Sequence, residues 1–318
     1  MCTAISYLSQ NHYFGRNLDL DHHWQEQVAV TPRRFPLAGR EEHWGLIGMA
    51  TMFDGYPLYY EAVNEAGLGV AALNFPGNAV YHKPRAGKEN IPSYDLISYV
   101  LTRCNSCREA EQLLKNAVIT DTPFSKELPV TPLHWFIADR EEALVAESTA
   151  DGLRLYPNPI RVLTNNPPFF YHRAHLADYM ALHTGEPDNR FAPGLGLSAY
   201  SLGMGALGLP GDFSSSSRFV RAAFLLHNTP CSGTLSHFFQ ILGSVAVPNG
   251  CVTTNKGYQK TLYSCACDTR AGIYYYTTEG NRQITAIDMH RCDLTGDALT
   301  LFPLVTKEQI REEKYPLV

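Results

Sequence analysis

The sequence lacks the features that mark several classes of protein. It has no run of about 18 consecutive apolar residues, as a membrane-spanning helix needs, and no basic N-terminal region followed by a long apolar segment. Lys and Arg number 26 against 31 Asp and Glu, with no dense basic block, which disfavours nucleic acid as a partner. We therefore expect a cytoplasmic protein that neither inserts into membranes nor binds nucleic acid.

The sequence also lacks a recognisable linker. No Ser/Gly-rich stretch or change of composition divides the 318 residues, and no repeat with a period of about 20–50 residues occurs. The hydrophobic content of 45% is sufficient for a sizeable core in a chain of this length. We therefore predict one domain over residues 2–318, with Met1 removed.

Short segments rich in Val, Ile, Tyr and Thr, separated by turn residues, indicate strands. These segments are 2–8, 27–31, 44–52, 57–63, 68–74, 133–139, 143–148, 161–164, 260–268, 271–278 and 283–289. Helical periodicity predicts helices over 93–103, 106–118, 169–182, 215–228 and 234–246. Consecutive hairpins favour antiparallel sheets, and helices in pairs between runs of strands favour an α+β layered sandwich with outer helices.

The eight cysteines are expected to be reduced, because an even count implies disulfides only in short secreted chains. Cys104 and Cys107 have the spacing of a zinc knuckle, which Cys265 and Cys267 would complete. A capping box at 106–109 explains the first spacing without a metal, and strand alternation makes the second pair small core residues. We favour the reading without metal, with seven structural thiols and one distinct cysteine.

Two further patterns suggest ligands but lack the required context. Residues 203–208 fit the G-x-G-x-x-G dinucleotide pattern, but no strand and helix flank them directly. The pairs His22 and His23, and His172 and His175, have no acidic third ligand at a typical spacing. We expect these histidines to face solvent, and we predict no cofactor.

Cys2 is the cysteine distinguished by its position. Methionine before a small residue is normally removed, so the mature chain is expected to carry a free α-amine and a thiol on Cys2. An α-amine with a pKa of about 7.7–8.0 can accept the thiol proton directly or through one water. One residue would then supply both nucleophile and base. The alternative is that Cys2 is a small apolar residue at the start of a strand.

The segment after Cys2 is predicted to return as a hairpin over 12–19. This return would bring Arg16 and Asp19 towards Cys2. A nearby guanidinium favours a thiolate, and a carboxylate can orient the terminal amine. Alternatively, the two residues form a surface ion pair of little energetic value.

A series of motifs then follows in order along nearly the whole chain. They are MCTA at 1–4, FGRNLD at 14–19, TPR at 31–33, NEAGLG at 64–69, LNFP at 73–76, LHW at 133–135, LTNNP at 163–167, GLPGDF at 208–213, SRF at 217–219 and GIYYY at 272–276. In these motifs the sequence resembles the choloylglycine hydrolase family, the bile salt hydrolases and penicillin V acylases. The resemblance implies an N-terminal nucleophile hydrolase with a four-layer αββα sandwich, a cofactor-independent amidase, and a homotetramer.

The resemblance also implies a set of catalytic residues, namely Cys2, Arg16, Asp19, Asn74, Asn165 and Arg218. Cys2 would be the nucleophile, with Arg16 and Asp19 supporting it. Asn74 and Asn165 would help to form the oxyanion hole and hold the amine of the nucleophile, and Arg218 would complete the polar network. Neutral amide donors of this kind stabilise negative charge developing on a carbonyl oxygen.

The substrate implied by the resemblance is a conjugated bile salt. Penicillin acylases of the family often differ at the position of Asn74. The implied walls of an acyl pocket are apolar, although each would also suit a core: Leu18, Met52, Phe53 and Leu128. The Gly-Met-Gly stretch at 203–205 resembles loops associated with glycine conjugates.

The expected reaction is therefore hydrolysis of the amide of a glycine- or taurine-conjugated bile salt through a thioester. A penicillin V acylase or an N-acyl homoserine lactone acylase is the alternative within the family. A catalytically silent small-molecule binding protein on the same fold is the alternative from another class.

Overall fold

The computed structural model describes residues 1–230, 232–255 and 257–314. The strands are β1 (Cys2–Leu8), β2 (His12–Leu20), β3 (Gln27–Thr31), β4 (Leu46–Phe53), β5 (Tyr56–Asn64), β6 (Gly69–Asn74), β7 (Glu89–Pro92), β8 (Ala117–Thr120), β9 (Leu133–Ala138), β10 (Ala143–Thr149), β11 (Gly152–Pro157), β12 (Val162–Leu163), β13 (Val252–Thr254), β14 (Gly257–Asp268), β15 (Ile273–Thr278), β16 (Thr285–Asp288) and β17 (Thr300–Pro303). The α-helices are α1 (Leu96–Leu101), α2 (Cys107–Leu114), α3 (Phe169–His175), α4 (Ser215–His227) and α5 (Leu235–Ser244).

Two antiparallel sheets contain most of the strands. Sheet 1 has the order β12-β1-β2-β14-β15-β16, with β13 beside β14. Sheet 2 has the order β11-β10-β9-β6-β5-β4-β3-β17, and β7 and β8 form a separate parallel pair. The predicted β1–β2 hairpin is confirmed: Cys2 lies opposite Leu18 and Ala4 opposite Arg16.

The core lies between the two sheets. The ring of Phe14 on β2 stacks on Phe136 of β9, with ring centres 5.6 Å apart. The same ring requires a glycine at position 69, because a Cβ there would lie 2.6 Å from Phe14. Helices α4 and α5 pack on the outer face of sheet 1, and α1 and α2 pack on the outer face of sheet 2. The predicted α+β architecture, with layers in the order αββα, is confirmed.

Two β-bulges occur beside the strands that carry the predicted site. In β5, Met49 pairs with Glu61 and Ala50 with Tyr59, so Tyr60 is the extra residue. In β14, Asp19 pairs with Thr261 and Leu18 with Tyr263, which leaves Leu262 as the extra residue. A bulge changes which side chains face the partner sheet; the β14 bulge does so beside β2, and the β5 bulge does so in the other sheet, where Tyr60 O accepts from Arg16 of β2.

The predicted helix over 106–118 is wrong in its last turn. Helix α2 ends at Leu114, and Ala117–Thr120 is a strand that pairs in parallel with β7. Leu114, Ala117 and Val118 happen to continue the helical spacing, but Val118 and Ile119 are β-branched and pair in register with β7. Strands β7, β11, β13 and β17 were not predicted either.

The described cysteines are unpaired, and Cys231 lies outside the described residues. Cys104 and Cys107 belong to the buried cluster beneath α1 and α2, whereas Cys265 and Cys267 lie in the core between the sheets. The two pairs therefore do not form a common site. The predicted cap is present, since Ser106 Oγ accepts a hydrogen bond from the Glu109 backbone N–H at 3.3 Å.

Two features are absent from the described ranges. No group of three or more His, Cys, Asp and Glu side chains there could hold a metal ion. No helix there is long and apolar enough to cross a membrane.

Candidate active site

The β1–β2 hairpin places Cys2 at the start of the inner face of sheet 1. Cys2 is 2% exposed, and alternation along the strands gives Leu18 and Arg16 the same face. Thr3, Asn17 and Asp19 lie on the opposite face, towards α4 and α5. The side chain of Cys2 therefore points towards sheet 2. Its backbone N–H and carbonyl groups are free to bond residues outside the β1–β2 pair.

The main chain of Cys2 is held by hydrogen bonds at both ends of the residue. Its backbone N–H donates to Asn165 Oδ1 at 2.7 Å, and its carbonyl oxygen accepts from Arg218 Nη1 at 2.5 Å. The amino group of Met1 donates to Asp19 O and to Gln259 Oε1, both at 2.8 Å. The nitrogen of Cys2 is thus an amide here, already aimed at Asn165.

Arg218 is 0% exposed and every nitrogen of its guanidinium has an acceptor. Besides the Cys2 carbonyl, Nη1 donates to Thr3 Oγ1 at 2.6 Å, Nη2 to Asn165 Oδ1 at 2.9 Å, and Nε to Phe213 O at 3.0 Å. The serine cap of α4 fixes the helix that carries it, because Ser214 Oγ accepts from the Ser217 backbone N–H. Arg218 therefore joins β1, α4 and Asn165.

Asn165 follows β12 and links both halves of the site. Because Arg218 and the Cys2 N–H are both donors, the side chain must present Oδ1 to them, and Nδ2 then donates to Asn74 O at 2.8 Å. Asn74 ends β6 and is half-buried. Its own side-chain amide has no hydrogen-bond partner within the described part of the chain, so its donors remain available.

Arg16 is 0% exposed and reaches sheet 2. Its Nη1 donates to Tyr60 O at 3.1 Å and to Ala72 O at 2.5 Å, and its Nε lies 3.7 Å from Glu61 Oε2. Its Nη2 is buried without a hydrogen-bond partner in the described ranges. Burial lowers the pKa of Arg16, but negative charge at Cys2 and Glu61 outweighs it and raises the pKa above its ordinary value.

Asp19 is also 0% exposed, and only one of its two carboxylate oxygens has a donor among the described residues. Oδ1 accepts from Thr261 Oγ1 at 2.6 Å, at the position of the β14 bulge. Oδ2 is buried and, among residues that the structure describes, has no donor. A buried carboxylate oxygen without a donor is costly, and so it marks a place where a donor is expected.

His172 is one of the histidines expected to face solvent, and that expectation is wrong. It is 0% exposed, and its Nε2 lies 2.9 Å from Asn165 O, while its ring stacks on Phe219. Burial lowers the pKa of His172 to about 4. The neutral ring thus supports the backbone of Asn165. The sequence signal that could have identified His172 as a site residue is its position: it is the fourth residue of α3, the helix that follows the LTNNP motif.

The four apolar candidates lie in three places. Leu18 is buried beside Cys2, opposite it on the hairpin. Met52 and Phe53 end β4 and are half-buried. Leu128 is half-buried in the loop before β9, where its backbone N–H donates to Ser125 Oγ. Sequence reasoning missed Phe124, whose ring lies edge-on to Phe53 at 5.7 Å and connects this loop to the β4–β5 hairpin.

The glycine-rich segment is exposed. Tyr200 and Leu202 are 84% and 89% exposed, and a short 3-10 helix spans Met204–Ala206. Helix α4 begins only at Ser215, which agrees with rejecting a dinucleotide fingerprint here.

Two surface cavities lie away from Cys2. One, of about 360 Å³, is bordered by residues including Cys107 and Arg161; the other, of about 390 Å³, by residues including Phe169 and Arg173. Neither is lined by Cys2 or by the four apolar candidates.

Hydrogen bonds link three of the six predicted catalytic residues, Cys2, Asn165 and Arg218, and Asn74 joins them through its carbonyl oxygen. The hairpin places Arg16 and Asp19 close to Cys2 along the strand pair, on its inner and outer face respectively. The residues around Cys2 thus include a thiol, two permanent cations, a carboxylate with an unpaired oxygen and an amide donor without a partner in the described ranges. Such a set suits acyl transfer to sulfur, because it supplies a nucleophile, charges that influence its ionisation and a donor for an oxyanion.

Comparison with known proteins agrees with this chemistry. Residues 2–302 match the family described as linear amide C–N hydrolases, choloylglycine hydrolase family. The chain is 44% identical to the bile salt hydrolase/transferase of Lactiplantibacillus plantarum, over 97% of this chain and 98% of that protein.

Solved structures show the same fold. A variant of the conjugated bile acid hydrolase from Clostridium perfringens has a TM-score of 0.92 and 36% identity, over 98% of this chain and 100% of that one. The penicillin V acylase from Agrobacterium tumefaciens has a TM-score of 0.75 and 20% identity, over 96% and 92% of the two chains, and so shares the fold.

The protein is therefore a hydrolase of linear amide C–N bonds with the N-terminal nucleophile hydrolase fold. Within that class, the chain belongs to the choloylglycine hydrolase family.

Proposed function

We propose that this protein hydrolyses the amide bond of glycine- or taurine-conjugated bile salts, with the thiol of Cys2 as the N-terminal nucleophile after Met1 is removed. The names of its relatives support the substrate. The observation that carries the mechanism is the environment of the Cys2 nitrogen, which already faces Asn165 Oδ1 at 2.7 Å.

Removal of Met1 would convert this nitrogen from an amide into an α-amine. The amine gains donors that need acceptors in a buried site. Asn165 Oδ1 already accepts from this nitrogen, and Asp19 Oδ2 has no donor among the described residues. Asp19 also loses the contact between its backbone N–H and Met1 O. These acceptors would orient the amine so that it can take the thiol proton.

In the reaction, the Cys2 sulfur attacks the amide carbonyl and its proton passes to the α-amine. The proton then moves to the departing nitrogen as the C–N bond breaks, which leaves a thioester on Cys2 and releases glycine or taurine. Water, deprotonated by the amine, attacks the thioester and releases the free bile acid and the thiol. No oxidant, reductant or cofactor is consumed.

The developing oxyanion needs a donor that the ground state does not use. The side-chain amide of Asn74 meets this requirement, whereas Nδ2 of Asn165 is already bonded to Asn74 O. Asn165 therefore fits the role of holding the amine, and Asn74 fits the role of oxyanion donor. Arg218 fixes Asn165 and the Cys2 carbonyl.

The acyl group of a bile salt is a broad apolar steroid. Leu18 is next to Cys2, and Met52, Phe53 and Leu128 would wall the pocket on the side of the β4–β5 hairpin, which Phe124 joins to the loop of Leu128. A homotetramer, a cytoplasmic location and a single domain over 2–318 stay predictions, the first of which light scattering on purified protein tests.

The decisive experiment measures hydrolysis of glycocholate, taurocholate, penicillin V and an N-acyl homoserine lactone side by side. We expect both bile salts to be cleaved faster than the other two substrates. Faster cleavage of penicillin V or of the lactone would assign the protein to the corresponding acylases. Binding of bile salts without any turnover would make it a binding protein.

The mechanism has its own test. Intact mass of the purified protein should show that Met1 is absent, and Cys2→Ala should abolish turnover without loss of folding. Cys251→Ala, which removes an exposed cysteine, is the matched control and should retain activity. Full activity in a chain that retains Met1, or in Cys2→Ala, would overturn the mechanism.

A further inference from the structure

Behind Arg16 lies a buried carboxylate that the proposed reaction does not use. Glu61 on β5 is 2% exposed and faces sheet 1. Oε2 accepts from Tyr263 OH at 2.8 Å and lies 3.7 Å from Arg16 Nε. Oε1 accepts from Tyr274 OH at 2.6 Å and from Cys265 Sγ at 3.4 Å.

All these neighbours are donors to Glu61. Burial raises the pKa of Glu61 above its ordinary value, although Arg16 and the hydrogen bonds from Tyr274, Tyr263 and Cys265 oppose that rise. Because a guanidinium does not deprotonate in proteins, the buried pair needs the negative charge of the carboxylate. The donor set therefore holds a fixed anion at this position.

The backbone on either side of Glu61 is also shaped to receive Arg16. The bulge leaves Tyr60 without a partner in the pairing of β4 and β5, and its carbonyl oxygen accepts from Arg16 Nη1 at 3.1 Å. The bulge also directs Glu61 into the core. The same irregularity thus supplies a carbonyl acceptor and an anion to one guanidinium.

Nη1 donates to two carbonyl oxygens of sheet 2, and Nε donates to Asn17 O of its own strand at 3.4 Å while lying 3.7 Å from Glu61, so the nitrogen that remains is Nη2. It is buried without a partner in the described ranges, and Arg16 lies on the same face of the β1–β2 hairpin as Cys2, as its diagonal neighbour. The orientation of Arg16 beside Cys2 therefore depends on contacts with sheet 2, namely Tyr60 O, Ala72 O and the Glu61 carboxylate.

We propose that Glu61 is a positioning residue for the hydrolysis, whose fixed carboxylate orients Arg16 and limits how strongly Arg16 stabilises the Cys2 thiolate. This inference rests on the proposed role of Cys2 as the nucleophile. Glu61 does not touch the reacting atoms. It acts through Arg16.

The sign of the effect follows from the charges around Cys2. Arg16 of β2 lies on the same face as the Cys2 side chain, whereas Asp19 of β2 and Arg218 of α4 lie on the opposite face, beside its main chain, and the α-amine is its own. Glu61, together with Tyr263, Cys265 and Tyr274 from β14 and β15, lies behind Arg16. Neutralising Glu61 leaves Arg16 uncompensated, which favours the thiolate of Cys2 and lowers its pKa.

The test follows alkylation of Cys2 by iodoacetamide against pH in the full-length protein, with peptide mass spectrometry to separate Cys2 from the other cysteines. For Glu61→Gln we expect the midpoint of Cys2 alkylation to fall by about one pH unit relative to the parent protein. The acid limb of kcat/KM on the cleaved bile salt should shift in the same direction. The maximal kcat should fall about tenfold, because Arg16 is less well oriented.

Three further variants keep the test interpretable. Glu61→Asp retains the charge and should return the midpoint towards that of the parent protein, with kcat only partly recovered. Tyr274→Phe removes one donor to Glu61 and should shift the midpoint downwards by less than Glu61→Gln. Glu147→Gln is the matched control, since Glu147 is equally buried but contacts His134 and the Phe169 backbone N–H instead of Arg16. Its midpoint should not move.

The possible outcomes separate the two proposals. An unmoved midpoint in folded Glu61→Gln and Tyr274→Phe, with Cys2 still essential for turnover, would overturn the role of Glu61 alone. A midpoint that shifts equally in Glu147→Gln would assign the effect to general loosening and overturn it as well. Turnover that persists in Cys2→Ala would overturn the proposed mechanism and this inference with it.

Discussion

The two faces of the β1–β2 hairpin hold their buried charges in different ways. On the face towards the helices, Arg218 has acceptors for every guanidinium nitrogen, and these acceptors belong to β1, Asn165 and the start of α4. On the face towards sheet 2, Arg16 is held through Nη1 and Nε while Nη2 has no partner in the described residues.

This difference indicates a division of labour between two arginines that are equally buried. A saturated guanidinium fixes geometry, and its removal leaves several buried acceptors unpaired. A guanidinium with one unpaired nitrogen can still donate a hydrogen bond to a negative charge that develops during the reaction. Changes on the helix side should therefore reduce stability first, and changes on the sheet 2 side should reduce the rate first.

Arg218→Met should give the largest effect on stability. It removes the guanidinium donor to the Cys2 carbonyl and to Phe213 O, and one of the two donors to Asn165 Oδ1, and we expect a loss of about 3–5 kcal/mol in the free energy of unfolding. Urea denaturation measures this. Arg154→Met, at an exposed arginine, is the control and should change stability by less than about 0.5 kcal/mol. A loss below about 1 kcal/mol for Arg218→Met would contradict the view that the helix side of the hairpin mainly stabilises the fold.

Asn74→Ala should lower kcat about 10²–10³-fold, because it removes the proposed donor to the oxyanion. The free energy of unfolding should hardly change, since the side chain has no hydrogen-bond partner in the described structure. Steady-state kinetics on the cleaved bile salt and urea denaturation check both. If the variant loses stability while its kcat is unchanged, the role of Asn74 is structural and not catalytic.

His172→Gln tests whether the helix side responds to pH as a structural element. The folded pKa of His172 is about 4, below its ordinary value near 6.5, so the unfolded chain binds the proton first as the pH falls. Its contribution to stability is present above about pH 6.5 and is lost as the pH falls towards 4.

Glutamine preserves a donor for Asn165 O but does not titrate. Between pH 7 and pH 5 the parent protein should lose about 2 kcal/mol more stability than the variant. Denaturation at the two pH values gives the difference, and parallel curves would show that His172 is not buried and neutral as described.

Arg16→Lys should give the smallest effect. The ammonium keeps a positive charge for Glu61 but cannot reach Tyr60 O, Ala72 O and Cys2 at once, so we expect about a tenfold fall in kcat/KM. Stability should fall by less than in Arg218→Met. A loss of stability as large as that of Arg218→Met would show that the two faces do not differ.

The inner face of the hairpin was predictable from sequence, because the period of two places Cys2, Arg16 and Leu18 together once the turn is located. Glu61 was not predictable in the same way. In the run of Tyr59, Tyr60 and Glu61, strict alternation would put Glu61 on the side opposite Tyr60, and a bulge cannot be read from a single sequence.

The helix side depends on contacts between residues far apart in the chain. No local pattern pairs position 2 with position 218 or position 74 with position 165, so those residues were predicted only through the resemblance to a family. His172 was mispredicted for the same reason: its neighbour Phe219 comes from another helix, and the buried environment that keeps it neutral is created by tertiary packing.

The β1–β2 hairpin has one consequence for the order in which the site assembles. Cys2 and Arg16 are brought together by a short loop, at a small cost in chain entropy, whereas Arg218 must close a loop of most of the chain. Under the proposed mechanism, the half of the site that would activate the thiol can therefore form during folding before the half that would hold the amine. A partly folded chain would carry a reactive cysteine with no capacity for hydrolysis, and the packing of α4 onto β1 is the step that converts one into the other.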